Sequence, residues 1–186
     1  MDGVPDEHLW KLFFSETSMS EQFAVILMGS DSDLPLVNNT LDVLKSLEIK
    51  FEVKVASAHR TPDVVSDYVQ DCEKRGAAVF ICAAGLAAHL AGAVAARTTR
   101  PVIGIPVDGG PLNGVDALYS TVMMPGGIPV ATVAVGKAGA KNAGYLAAQI
   151  MALCDKALDE RVKANRKQAA QEVMDKDAKL QASLGK

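Results

Sequence analysis

The run Ser57-Ala58-His59-Arg60-Thr61-Pro62 sets an imidazole beside a guanidinium. An imidazole can hold or release a proton near neutral pH, which is what general acid–base chemistry needs. Arginine offers a forked set of donors that fits a phosphate. The plainer reading of His59 is a surface-loop histidine. A second histidine, His89, stands in Ala83-Ala84-Gly85-Leu86-Ala87-Ala88-His89-Leu90, a stretch with so little side-chain bulk that backbone N–H groups can reach a ligand. His89 is the only polar side chain there, and it reads equally as a satisfied core histidine or as a ligand-facing one. A third run, Gly29-Ser30-Asp31-Ser32-Asp33, joins a glycine to two hydroxyls and two carboxylates. The hydroxyls and the free N–H groups of a following helix suit a phosphate. The carboxylates would repel a phosphate placed directly on them and suit a diol such as a ribose. Asp33 serves there as a helix cap alone, or as a cap that also touches the ligand.

Other chemistries find no support. Neither GxGxxG nor GxxxxGK[ST] occurs, against a standard dinucleotide fold or a Walker-type NTPase. No Ser-His-Asp arrangement is evident. His59 and His89 lack metal-ligand spacing and no His/Cys cluster exists, so no metal is expected.

The elements that must position these runs follow from periodicity. Apolar runs at Phe23–Met28, Phe51–Val55, Ala78–Ala83, Val102–Ile105 and Val130–Val135 read as strands. Segments 34–47, 62–75, 86–97, 114–124 and 138–154 read as helices, the second with Thr61 as N-cap and Pro62 at its first position. Strand–helix alternation with near-continuous apolar strands predicts a parallel sheet covered on both faces, an α/β, flavodoxin-like three-layer sandwich. In such sheets ligands bind outside the C-terminal ends of the strands, which is where the three runs fall. The loops Pro106–Gly114 and Met123–Pro129 would wall the same pocket. From Asp155 to Leu184 a charged helix follows, with a thin apolar stripe of Leu158, Val162, Ala169, Val173 and Leu180. This C-terminal segment, 155–186, is expected to pack on a neighbouring subunit. Residues 1–18 show no lasting period and are expected to be a disordered or artificial extension, with Met19 opening the domain proper, 19–154.

Composition narrows the class. The 186 residues are 49% hydrophobic and 22% charged, as in ordinary globular domains. Ala and Gly make up nearly a quarter and aromatics only 5%, which favours closely approached layers over an aromatic-lined cavity. A net charge of −3 argues against a nucleic-acid partner, and no apolar run is long enough for a membrane span. Three cysteines, Cys72, Cys82 and Cys154, without CxxC spacing, read as reduced thiols of a cytoplasmic protein.

Taken together, the runs 29–33 and 57–62 with Ala87-Ala88-His89-Leu90, Gly114-Val115-Asp116-Ala117-Leu118-Tyr119-Ser120 and Met124-Pro125-Gly126-Gly127-Ile128-Pro129-Val130 resemble the PurE family of purine biosynthesis, in order over about residues 23–154. The resemblance implies an octamer of flavodoxin-like subunits. It also implies N5-carboxyaminoimidazole ribonucleotide mutase activity, in which a carboxylate moves from the exocyclic nitrogen to ring carbon C4 through bound CO2, with no ATP, metal or organic cofactor. By matching position, Ser30, Asp33 and Arg60 would bind the nucleotide. Ser57 and the backbone of Gly85, Ala87 and Ala88 would add phosphate or carboxylate contacts. His59 would be the general acid/base, with His89 assisting. The family branch that carboxylates the aminoimidazole nucleotide directly with CO2 typically carries Ser-Ala-His-Lys and lacks Ala-Ala-His-Leu, so Arg60 and His89 side with the mutases. Two residues depart from the usual family pattern: Leu86 replaces a glycine and Ala91 a proline. The rival readings are that direct carboxylase, a related carboxylase of a nicotinate-type nucleotide, and a flavodoxin-like nucleotide-binding module without catalysis.

Overall fold

The fold is that of a computed structural model, which describes residues 22–185. The expectation for residues 1–18 lies outside them. Strands β1 (Phe23–Met28), β2 (Phe51–Val55), β3 (Ala77–Ala84), β4 (Val102–Pro106) and β5 (Ala131–Thr132) form one parallel sheet in the order β2-β1-β3-β4-β5. Helices α1 (Leu34–Ser46), α2 (Pro62–Lys74), α3 (Leu90–Ala95), α4 (Val115–Val122) and α5 (Lys137–Ala152) alternate with them, and α6 (Lys156–Ser183) closes the chain. This is the expected three-layer α/β sandwich.

β1 explains the layering. All six of its residues are buried, and the strand period of two sends alternate side chains to opposite faces. Ala24, Ile26 and Met28 join Val79, Ile81, Ile103 and Ile105 under α1 and α5. Phe23, Val25 and Leu27 join Phe80, Cys82 and Val102 under α2 and α3. Each fully buried aliphatic or aromatic side chain of this kind contributes about 1.5–3 kcal/mol. Such burial on both faces fixes the register, because a one-residue slip would exchange the two sets.

The small residues work where helices meet. Gly139, Ala140, Ala143, Gly144, Ala147 and Ala148 make the buried side of α5. At Gly144 a Cβ would stand 2.9 Å from that of Val43, so α1 and α5 touch almost backbone to backbone. The Thr40 hydroxyl donates across this seam to the Ala140 carbonyl at 2.7 Å.

Two elements differ from the sequence reading. The helix expected over 86–97 begins only at Leu90, because Leu86 takes a left-handed φ of 54° that no α-helix admits. The strand expected over 130–135 is only Ala131–Thr132, although the Val133 N–H still reaches the Gly104 carbonyl at 3.1 Å. α6 starts on an Asp155 cap, whose carboxylate accepts from the Leu158 N–H at 3.0 Å. Its stripe divides in two. Leu158 is buried and Val162 packs on the core, whereas Val173 and Leu180 are exposed in the single chain. No helix among the described residues is long and apolar enough to cross a membrane.

Candidate functional site

With the strand order 2-1-3-4-5, successive connections leave the sheet in opposite directions on either side of β1 and β3, and the C-terminal ends of those strands flank a crevice. The loops after β1, β2, β3 and β4 all open onto it. They line a cavity of about 450 Å³, within the range of small-ligand sites. Of the residues singled out above, Ser30, Asp33, Ser57, His59, Arg60, Gly85, Ala87 and His89 line it. Ala88 does not: its side chain is buried and its N–H donates to the Leu86 carbonyl at 2.9 Å.

His59 follows β2 and His89 precedes α3, on opposite sides of β1. Their rings nevertheless meet edge to face, with His59 Nε2 2.7 Å from His89 Nδ1. At that distance one nitrogen must donate and the other accept. Two imidazolium ions would set donor against donor, so while this contact holds the pair carries at most one extra proton. Either ring can hold that proton, provided the other adopts the complementary tautomer. Both side chains are exposed to the cavity, so His89 is no core histidine.

The loop after β2 is braced from within. The Thr61 hydroxyl accepts from the Ser57 N–H at 2.9 Å and donates to the Ser57 carbonyl at 3.1 Å. Thr61 therefore stands at the N-cap of α2 but spends its hydroxyl on closing the turn that presents His59. The Ser57 hydroxyl accepts from the Arg60 N–H at 3.2 Å. Arg60 in turn donates from Nη2 to the Gly29 carbonyl at 3.1 Å, tying the loops after β1 and β2 together.

In the loop after β1 the Ser30 side chain caps a short 3₁₀ turn, Asp31–Asp33. Its hydroxyl accepts from Ser32 Oγ at 2.9 Å. Asp33 occupies the N-cap position of α1 but makes no side-chain capping bond, which leaves its carboxylate to the cavity. Partial burial pushes that carboxyl above its ordinary range. A hydrogen bond that the carboxylate accepts from the backbone of Ser30 opposes the shift, and Asp31 adds to it.

Sequence reasoning passed over the Gly29 carbonyl as the anchor of Arg60, and the His59–His89 contact. The strand order could have signalled the second, since residues following β2 and β3 both overhang β1. Among the described residues no group of three or more His, Cys, Asp or Glu side chains could hold a metal ion.

Residues 24–172 match the family model described as AIR carboxylase. The chain belongs to the AIR carboxylase family. Curated members that it resembles include the N5-carboxyaminoimidazole ribonucleotide mutases of Bacillus subtilis, 48% identical over 83% of this chain and 96% of that protein, and of Synechocystis, 51% identical over 84% and 88%. Among solved structures, Treponema denticola PurE superimposes with a TM-score of 0.77 at 32% identity, covering 86% of this chain and 98% of that one. Both the cavity and the two histidines fall inside the AIR carboxylase match.

Proposed function

We infer that the chain is an enzyme of purine biosynthesis, an N5-carboxyaminoimidazole ribonucleotide mutase that moves a carboxylate from N5 to C4 of the imidazole. The observation that carries this reading is the pair of imidazoles in contact on the wall of the cavity, beside Arg60, Ser30 and Asp33. Relatives that bear the mutase name at about half identity support it.

The reaction needs one proton lent and recovered, which suits a pair that holds one. The N5 carbamate of the bound nucleotide breaks its N–C bond and releases CO2. The nitrogen takes a proton from the histidine pair, with His59 as the group that meets the ring. C4, made electron-rich by the freed amine, forms the new C–C bond to CO2. The pair then removes the C4 proton and aromaticity returns. Holding CO2 beside C4 gives it an effective concentration that free solution does not offer. Arg60 and the hydroxyls of Ser30 and Ser57 hold the nucleotide's phosphate, and the Asp33 carboxylate takes the ribose hydroxyls. Gly85 and Ala87 leave room for the carboxylate. No metal or organic cofactor has a part in this sequence of steps.

The reading extends to the setting. The enzyme works in the cytoplasm as a homo-octamer, and the exposed Val173 and Leu180 of α6 pack on a neighbouring subunit.

The test is conversion of unlabelled N5-carboxyaminoimidazole ribonucleotide to the C4 acid without ATP, in ¹³C-bicarbonate. Rapid conversion with little label in the product is expected. Turnover only from aminoimidazole ribonucleotide and CO2, with product fully labelled, would replace the mutase by the direct carboxylase.

A further inference from the structure

We infer that Leu86 is a positioning residue that latches onto Gly110 to shut the cavity and keep released CO2 beside the ring, an inference that rests on the mutase reading. Leu86 and Gly110 both line the cavity, from the loops after β3 and β4. Leu86 is 53% exposed, so the hydrophobic core gives no reason for a leucine there. It also holds a left-handed φ of 54°, a conformation that branched side chains rarely take and that glycine would take freely.

In this conformation the leucine side chain lies against Gly110. A Cβ on Gly110 would stand 2.4 Å from Leu86 Cδ2, so a larger residue at 110 would displace the end of the leucine from this contact. Two further contacts keep the loops alongside each other. The Val107 N–H donates to the Ala84 carbonyl at 2.9 Å, and the Val107 side chain lies 3.5 Å from where a Gly85 Cβ would be. The turn then continues directly into the imidazole, since the His89 N–H donates to the Ala87 carbonyl at 2.8 Å.

Carbon dioxide is small and uncharged and accepts only weak hydrogen bonds. Its retention therefore depends on walls rather than on polar partners. An apolar side chain spanning the mouth between two loops supplies such a wall, and a glycine at position 86 would not.

The experiment compares the wild-type chain with Leu86→Gly, which relieves the left-handed backbone, and Leu86→Ala, which keeps a Cβ but cannot reach Gly110. Two quantities are read: the share of ¹³C from external bicarbonate in the C4 acid, and amide hydrogen exchange over residues 107–112. Both variants are expected to exchange faster in 107–112 and to carry several-fold more label than the wild type. Unchanged exchange would show that the latch does not hold the loop. Faster exchange with unchanged label would show that it does not hold CO2. Either result overturns the inference. A wild-type product already fully labelled would remove the mutase reading and the retention role with it, while the exchange data would still report on the contact itself.

Discussion

The 2.7 Å contact between His59 and His89 makes a quantitative demand. General acid–base catalysis by one side chain is worth about 10²–10⁴-fold, or roughly 3–5 kcal/mol of barrier. If the two histidines acted independently, His59→Asn and His89→Asn would each lose a factor of that size, and the double variant would lose the product, about 10⁴–10⁸. The geometry requires something else. In the proposed mechanism the borrowed proton is shared across that one hydrogen bond, so removing either ring breaks the same device. The double variant is therefore expected to fall no further than the worse single variant, within about tenfold. Both side chains are exposed, so the melting temperature should move little and serves as the control for folding. The assay is kcat on saturating N5-carboxyaminoimidazole ribonucleotide, with nucleotide affinity measured separately. Losses that multiply would refute the shared proton and assign the rings to separate steps. A His89→Asn enzyme with wild-type kcat would remove His89 from the chemistry altogether.

Arg60→Ala should raise KM more than it lowers kcat, given the phosphate contact proposed for its guanidinium, which also anchors to the Gly29 carbonyl; an unchanged KM would move the phosphate elsewhere. Glu52 accepts from Arg75 and Tyr68, and the guanidinium beside it holds its carboxyl below the ordinary range. The stabilisation this gives is full above the ordinary glutamate value of about 4.3 and fades as pH falls through the lower folded value. The pair is substantially exposed, so Glu52→Gln should lower stability by only about 0.3–1 kcal/mol at pH 7 and flatten the loss of melting temperature below pH 5, whereas an identical acid limb would exclude Glu52 from it. In β4, a Cβ on Gly104 would lie 2.3 Å from Thr121 Cγ2. Gly104→Ala should therefore cost about 1–3 kcal/mol by overpacking, and Thr121→Ser, which keeps the hydroxyl and removes that methyl, should recover part of it; additive losses in thermal melts would contradict the packing argument.

The legible and the illegible parts of this chain differ in their physics. Phe23–Met28 could only be a doubly buried strand, and the regular alternation after it could only build a parallel sheet with its chemistry at one end. Three of the four loops that line the cavity, those after β1, β2 and β3, were readable because their residue types are unusual for loops between apolar strands. The stretch 86–89 was misread as helix because alanine-rich sequence favours helix locally. The actual backbone there is set by the turn at Leu86 and by i to i+2 bonds into Ala88 and His89, which are properties of the folded loop. The meeting of His59 with His89 depends on the strand order, which no local pattern encodes. The resemblance implies a ligand contact from the Ala88 backbone, yet in the folded loop the Ala88 N–H donates to the Leu86 carbonyl at 2.9 Å, a bond that matching by position does not reveal.

The sheet has two borders, and each resists recruitment by a foreign strand. On one side β2 carries Glu52, gripped by Arg75, and Lys54, resting 5.5 Å over the Tyr68 ring, so a chain sliding in to extend the sheet would have to strip charges from their partners. On the other, β5 offers only two residues of template. Charged or abbreviated margins of this kind guard against fibrillar aggregation. The two margins therefore leave β1, β3 and β4, the strands that carry the buried core, shielded from pairing with another chain.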